Sequence, residues 1–324
     1  MSVINHNDAI SKITKYLSHD WDKLATTIDI LIKSNPHKDK QCHQYMMWQE
    51  QAGINFPLLY LASIYLYIYA KQKGCNIFLF ATRDCCHWSK IFKKLFPETT
   101  VHYFNCSRNM FGKATRENHP DFNNYVEEIT GMHPRDAVDA VAHNKDDISK
   151  AIYVDIHGSG LHLFRYFRKR FPTMPQCFLL SSGIRSYSDM PSLCRKYRDN
   201  LINVVFDVNG GPIEMLNYDL VGTLQDYSKQ HGPIRDKPEY DLEIVQPYHQ
   251  CMNFIVEHLV PIKDLSSFTE DRYKDLSKCI EDIYSVIIVG RPIIREYIKH
   301  IGRHKKIKVN KVDKPKKSKE IKNR

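Results

Sequence analysis

Asp155 ends an apolar run, AIYVDI (151–156), and is followed by His157, Gly158, Ser159 and Gly160 and then by the basic, apolar-periodic stretch LHLFRYFRKRF (161–171). A carboxylate can accept sugar hydroxyls. A Gly-Ser-Gly turn opening a helix offers free N–H groups, a hydroxyl and positive potential to an anion. Together these residue types suit a phosphorylated sugar. The same residues also describe a plain strand-to-helix turn, in which Gly158 and Gly160 only let the chain bend. Polar residues close four other apolar runs. NIFLFAT (76–82) leads into Arg83-Asp84, VHYFNCS (101–107) into Arg108-Asn109, QCFLLSS (176–182) into Gly183, and LINVVFDV (201–208), which contains Asp207, into Asn209-Gly210-Gly211. Arg83 and Arg108 have the guanidinium forks that grip phosphate, with Ser107 beside them. Asp84 is either a second working carboxylate or the cap of the helix after it. His157 could move a proton near neutral pH, although a lone loop histidine is more often a hydrogen-bonding spacer.

The elements that must position these groups follow from the apolar pattern. Runs of five to eight residues apolar on both sides read as central parallel strands. They alternate with helices such as CHWSKIFKKLFP (86–97) and 161–171, which implies a doubly wound, mainly parallel α/β sheet. In such sheets ligands bind beyond the carboxyl ends of the strands, where the polar residues above collect. Residues 8–33 show helical periodicity, and FPLLYLASIYLYIYA (56–70) reads as a buried helix with Pro57 in its first turn and Gly74 as its C-terminal cap. Helix-like pieces fall at Phe122–Ile129 and Pro134–Ala142, and after residue 240 the pattern is helical again. The expected layout is a helical N-terminal region (1–74), an α/β core (75–235), C-terminal helices (236–301) and an unstructured basic tail (302–324).

The formal charge is +10 over 324 residues, and residues 302–324 hold eleven Lys/Arg against Asp313 and Glu320, so the remainder is close to neutral. Such a tail solubilises the chain or meets a polyanion, an anionic membrane or an acidic partner. The nine cysteines are odd in number and form no C-x-x-C pair, and MSVINHNDAI is not a signal peptide. Free thiols in a reducing, cytoplasmic setting are expected. No zinc site has standard spacing, and Cys85-Cys86-His87 are adjacent residues whose side chains diverge at a helix start. Run 56–70 is too short for a membrane span, so no transmembrane segment is expected.

Two family resemblances attach to these motifs. FPLLYLASIYLYIYAKQKGCNIFLFATRD, VHYFNCSRNMF, AIYVDIHGSG and GGPIEMLNYDLVGTLQDY, in that order over roughly residues 55–230, resemble the later part of bacterial polysaccharide-cluster proteins described as haloacid-dehalogenase-superfamily hydrolases. In those proteins a strand ends in Arg-Asp-Gly, another in Ser-Arg, and a third in Asp-Ile-Gly-x-x-Gly. Here Cys85 follows Arg83-Asp84, and His157 stands where Gly is usual. The resemblance implies a phosphohydrolase with Asp155 as nucleophile, although His157 replaces the second acid of the Asp-x-Asp-x-Thr loop that this chemistry uses. Val154-Asp155-Ile156-His157-Gly158-Ser159-Gly160 also resembles the phosphoribosyl-pyrophosphate loop of type I phosphoribosyltransferases, with Ser159 for Thr and Val154 for the first acid. That resemblance implies a phosphoribosyltransferase-like fold in which Asp155 takes sugar hydroxyls, Gly158, Ser159 and Gly160 cradle a phosphate, and the Arg83-Asp84 loop lies at the pyrophosphate. Mg²⁺ would bridge pyrophosphate oxygens. The sequence therefore leads to binding, with transfer chemistry in view, of a phosphorylated sugar or nucleotide. Asp155 and Asp84 are the catalytic candidates. The alternatives are a phosphohydrolase and a non-catalytic scaffold that recruits a partner through its basic tail.

Overall fold

The computed structural model describes residues 22–133, 150–238, 240–265 and 270–288, together with Ser11, Ile13 and Lys15. The piece expected at Pro134–Ala142, the last helical stretch and the basic tail lie outside the described residues. Five strands, β1 (Ile77–Ala81), β2 (Thr100–Phe104), β3 (Ala151–His157), β4 (Gln176–Ser181) and β5 (Leu201–Val205), form one parallel sheet in the order β2-β1-β3-β4-β5. Phe78, Leu79, Phe80, Ile152, Val154, Phe178 and Leu179 are all buried, as strands covered on both faces require.

Helices α1 (Asp22–Lys33), α2 (His43–Glu50) and α3 (Phe56–Gln72) precede β1. Gly74 follows α3 in the left-handed region, as expected of its cap. α2, a π-helical turn at Gln51–Asn55 and α3 join into one helical run, His43–Gln72. It is twice the length read from the sequence, because the π turn continues the helix through Gly53 instead of stopping it. By length and composition it could cross a membrane, yet 83% of its most apolar window is buried inside the protein. That burial is what a core helix needs.

Chain order and chirality decide where the remaining helices lie. β1 runs to β2 in one direction along the sheet, and β2→β3→β4→β5 runs in the other. Right-handed crossovers then place α4 (Cys86–Leu95) on one face, and α5 (Arg108–Arg116), α6 (Pro120–Thr130), α7 (Leu161–Arg170) and α8 (Ser192–Lys196) on the opposite face. The packing agrees: α4 rests on β1 and β2 and against α3, while α5 packs on α7 and α7 on α8. α9 (Gly211–Leu216), α10 (Leu242–His258) and α11 (Glu270–Ile288) complete the layer that holds α3 and α4. The doubly wound α/β reading is thus borne out. A separate antiparallel hairpin, β6 (Leu224–Ser228) and β7 (Gly232–Arg235), was not foreseen. It packs on α5 and α6.

The direction of winding reverses between β1 and β3. Their carboxyl ends, Ala81 and His157, therefore flank the crevice that such a reversal leaves open.

Candidate functional site

A cleft of about 670 Å³ opens at that crevice. Arg83, Asp84, Ser107, Arg108, Asp155, Gly158, Ser159 and Gly160, all singled out from the sequence, line it together. Four of the five polar strand ends thus converge. The fifth does not: Asp207 is exposed and lies outside the cleft, and the ring of His157 packs over Gly210. Glu214, on α9, is the group this segment contributes instead.

Asp155 projects from the central strand and accepts a hydrogen bond from the Tyr153 hydroxyl at 3.0 Å. Burial, then the nearby charge of Asp84, then that of Glu214, push its carboxyl up to about 8. Asp84 is not the cap of α4; Cys85 holds that position with no side-chain bond. Asp84 pairs instead with Arg83 Nε at 3.4 Å. Burial raises its pKa, and Arg83 opposes the rise. The Thr82–Arg83 peptide is cis. The Arg83 guanidinium lies over the Tyr218 ring, 4.6 Å from its centroid, and reaches Thr223 Oγ1 at 3.4 Å. Its ion pair is with Asp84.

The turn after β3 has two distinct glycines. Gly160 caps α7 in the left-handed region, at φ 70°. A Cβ there would come 3.2 Å from both Cys177 Sγ and Phe164 Cε2, so the fold itself demands glycine. Gly158 donates its N–H to Ser181 O at 3.1 Å and so extends the ladder to β4; that amide is not available to an anion. A Cβ on Gly158 would sit 3.4 Å from Asp155 Oδ2, so this glycine gives the carboxylate room. Ser159 Oγ accepts a long bond from Leu161 N at 3.4 Å, and His162 lines the cleft in the first turn of α7. Ser107 lines the cleft but is committed elsewhere. Its hydroxyl donates to Leu224 O at 2.6 Å and accepts from Met110 N at 3.0 Å as the cap of α5. His157 Nδ1 bonds Ser181 Oγ at 2.9 Å, and burial lowers its pKa.

Two arginines of the cleft, Arg108 and Arg235, form no ion pair among the described residues, although the charge of Arg108 acts on Asp84 across the cleft. Arg108 is exposed at the start of α5 and has no ion pair among the described residues. Arg235, on β7, is held by the Gly222 carbonyl at 3.1 Å and by the Asn105 side-chain oxygen, and it has no acidic partner among the described residues. Arg235, Glu214, Tyr218 and Thr223 escaped the sequence reading. Glu214 and Tyr218 stand inside the quoted segment GGPIEMLNYDLVGTLQDY, so their neighbourhood was visible though their roles were not. Arg235 belongs to the hairpin and carried no signal. Compared with known proteins, the chain matches no family model and no curated protein.

Proposed function

We propose that the cleft binds a phosphorylated sugar or nucleotide and supports transfer chemistry of the phosphoribosyltransferase kind. One observation carries this reading: Arg108 and Arg235, which form no ion pair among the described residues, share a cleft with the N-terminus of α7 and the central carboxyl Asp155. Guanidinium forks and free helix amides favour phosphate, and a carboxylate beside them favours hydroxyls. In this reading Arg108, Arg235, Ser159 and the first turn of α7 hold one phosphate. Arg83 lies at a second phosphate, and Asp155 accepts sugar hydroxyls.

Asp84, Asp155 and Glu214 line the same cleft and offer the hard oxygen donors that Mg²⁺ takes. Burial is the largest cause raising Asp155; the repulsion from Asp84 and Glu214 that adds to it is what a divalent cation would relieve. When bound, Mg²⁺ supplies charge neutralisation for pyrophosphate oxygens.

The test is thermal shift on the full chain with 5-phosphoribosyl 1-pyrophosphate, ribose 5-phosphate, pyrophosphate and nucleotides, each with and without Mg²⁺. A phosphorylated sugar or nucleotide should raise the melting temperature by several degrees. Arg108→Ala should weaken that ligand roughly tenfold or more, because a charge-assisted hydrogen bond is lost. The reading fails if no phosphorylated compound stabilises the folded wild type. Release of inorganic phosphate with a beryllium-fluoride adduct on Asp155 would turn the assignment to a phosphohydrolase.

A further inference from the structure

Behind the cleft, away from the groups that face it, three side chains meet in the protein interior. Cys86 opens α4, His87 follows it, and His249 comes from α10. They are 4%, 0% and 7% exposed. One ligand atom from each lies within 4.8 Å of the others. The imidazoles of His87 and His249 meet edge to face, with centroids 4.3 Å apart. Adjacent side chains at a helix start were expected to diverge. Here α10 packs against α4 and closes the gap from the other side.

His87 is the telling residue. It is fully buried, and neither Nδ1 nor Nε2 has a hydrogen-bond partner among the described residues. Leaving both nitrogens of a buried imidazole unused costs free energy that folded proteins rarely concede. His249 shows the complementary arrangement. Its Nε2 lies 2.8 Å from the Tyr218 carbonyl oxygen, which can only accept. Nε2 therefore carries the proton, and Nδ1 keeps its lone pair. A metal-bound histidine is oriented in this way, by donating its other N–H to a carbonyl. Cys86 Sγ lies 3.3 Å from Asn217 O, to which the thiol donates.

We propose that Cys86, His87 and His249 form a binding site for Zn²⁺ or a similarly thiophilic ion. One thiolate and two imidazoles are a nitrogen and sulfur donor set that selects zinc over magnesium or calcium. Tetrahedral zinc holds such ligand atoms roughly 3.3–3.8 Å apart, so side-chain movement of about an ångström brings the three to coordination distance. Binding breaks the S–H bond of Cys86, forms the metal–sulfur bond and releases one proton to solvent. The fourth position is left to water or to the Asn217 carbonyl oxygen.

The site would brace the cleft from behind. It ties the start of α4, immediately after Arg83-Asp84, to α10 and to the Asn217-Tyr218 segment. Asn217 is fixed by a reciprocal amide pair with Asn55, 3.1 Å in each direction, and the Tyr218 ring lies beside Arg83. The inference is independent of what the cleft binds.

The experiment uses the full chain purified without an immobilised-metal column. Elemental analysis should find close to one zinc per chain, and chelation should lower the melting temperature by several degrees. Replacing zinc with Co²⁺ should give the thiolate-to-cobalt charge-transfer band together with tetrahedral visible bands. Cys86→Ser should remove the charge-transfer band, and His249→Gln should weaken metal retention at least tenfold. Should these variants misfold, the wild-type cobalt spectrum still decides the matter. Absence of bound metal with no thiolate band on adding Co²⁺ overturns the proposal, as does an unchanged band in folded Cys86→Ser.

Discussion

Asp155 holds its proton unusually firmly, and that has a consequence for stability which can be measured without any ligand. Its folded-state carboxyl titrates at about 8, whereas an unfolded one titrates near 4. Between those values the folded chain binds more protons than the unfolded chain, so the contribution of this group falls as pH rises. It is fully present below about pH 4 and lost on passing through about pH 8, at up to about 1.4 kcal/mol per pH unit. Asn mimics the protonated acid in shape and cannot ionise. Asp155→Asn should therefore melt higher than the wild type at pH 8, and the two should converge as pH approaches 4. Parallel melting curves from pH 5 to 9 would show that Asp155 is not strained by its neighbours. A residue that costs stability when charged is expected where charge is used. Gly160 teaches the reverse lesson. Its left-handed backbone and tight contacts explain it completely, so it says nothing about phosphate.

At the scale of elements, the hairpin of β6 and β7 decides whether Arg235 reaches the cleft. Asp226 on β6 anchors it, receiving Lys113 Nζ from α5 at 2.5 Å and approaching His119 Nε2 at 2.7 Å. The Lys113 bond is the largest cause holding Asp226 down at about 2. Because the folded value is depressed, this stability is present above about pH 4 and is lost as pH falls toward 2. Both side chains are about a third exposed, so the pair is worth about 1 kcal/mol or less. Asp226→Asn should lower the melting temperature only slightly at pH 7 and not at all near pH 2. Amide hydrogen exchange in residues 224–235 should quicken. Unchanged exchange there would mean that other contacts hold the hairpin. β1, β3 and β4 were legible because central strands must be apolar on both faces, whereas β2 and β5, which the sequence also suggested were central, lie at the sheet's edges and were legible as short apolar runs between helices. The hairpin was not, because Leu224–Ser228 carries Gln225, Asp226 and Ser228 and finds its packing only against α5 and α6. Four strand ends were readable for the same topological reason that brings them together, whereas Glu214 and Arg235 arrive only through tertiary packing. The Cys86, His87 and His249 cluster joins residues 163 positions apart, a distance that no local spacing rule spans.

Over the whole molecule, charge separates from fold. Residues 302–324 carry a net +9 of the chain's +10, so the remaining 301 residues are almost neutral. The segment has no apolar period in its sequence that could bury a face. A chain ending at residue 302 should keep its melting temperature within about a degree, because it loses charge and no core. Its affinity for a polyanion should collapse, since neutralised phosphates release counterions in proportion to the cations that meet them. Fluorescence anisotropy with single-stranded RNA over a salt series measures both terms. For the full chain, log K should fall steeply with log salt concentration. For the truncated chain the slope should be nearly flat, because only a charge of about +1 remains to drive binding. Anionic vesicles should show the same loss. A marked fall in melting temperature on truncation would show the segment docked on the body. A salt slope that survives truncation would place the polyanion contact on the folded domain, where Arg108 at the rim of the cleft is the exposed cation to test next.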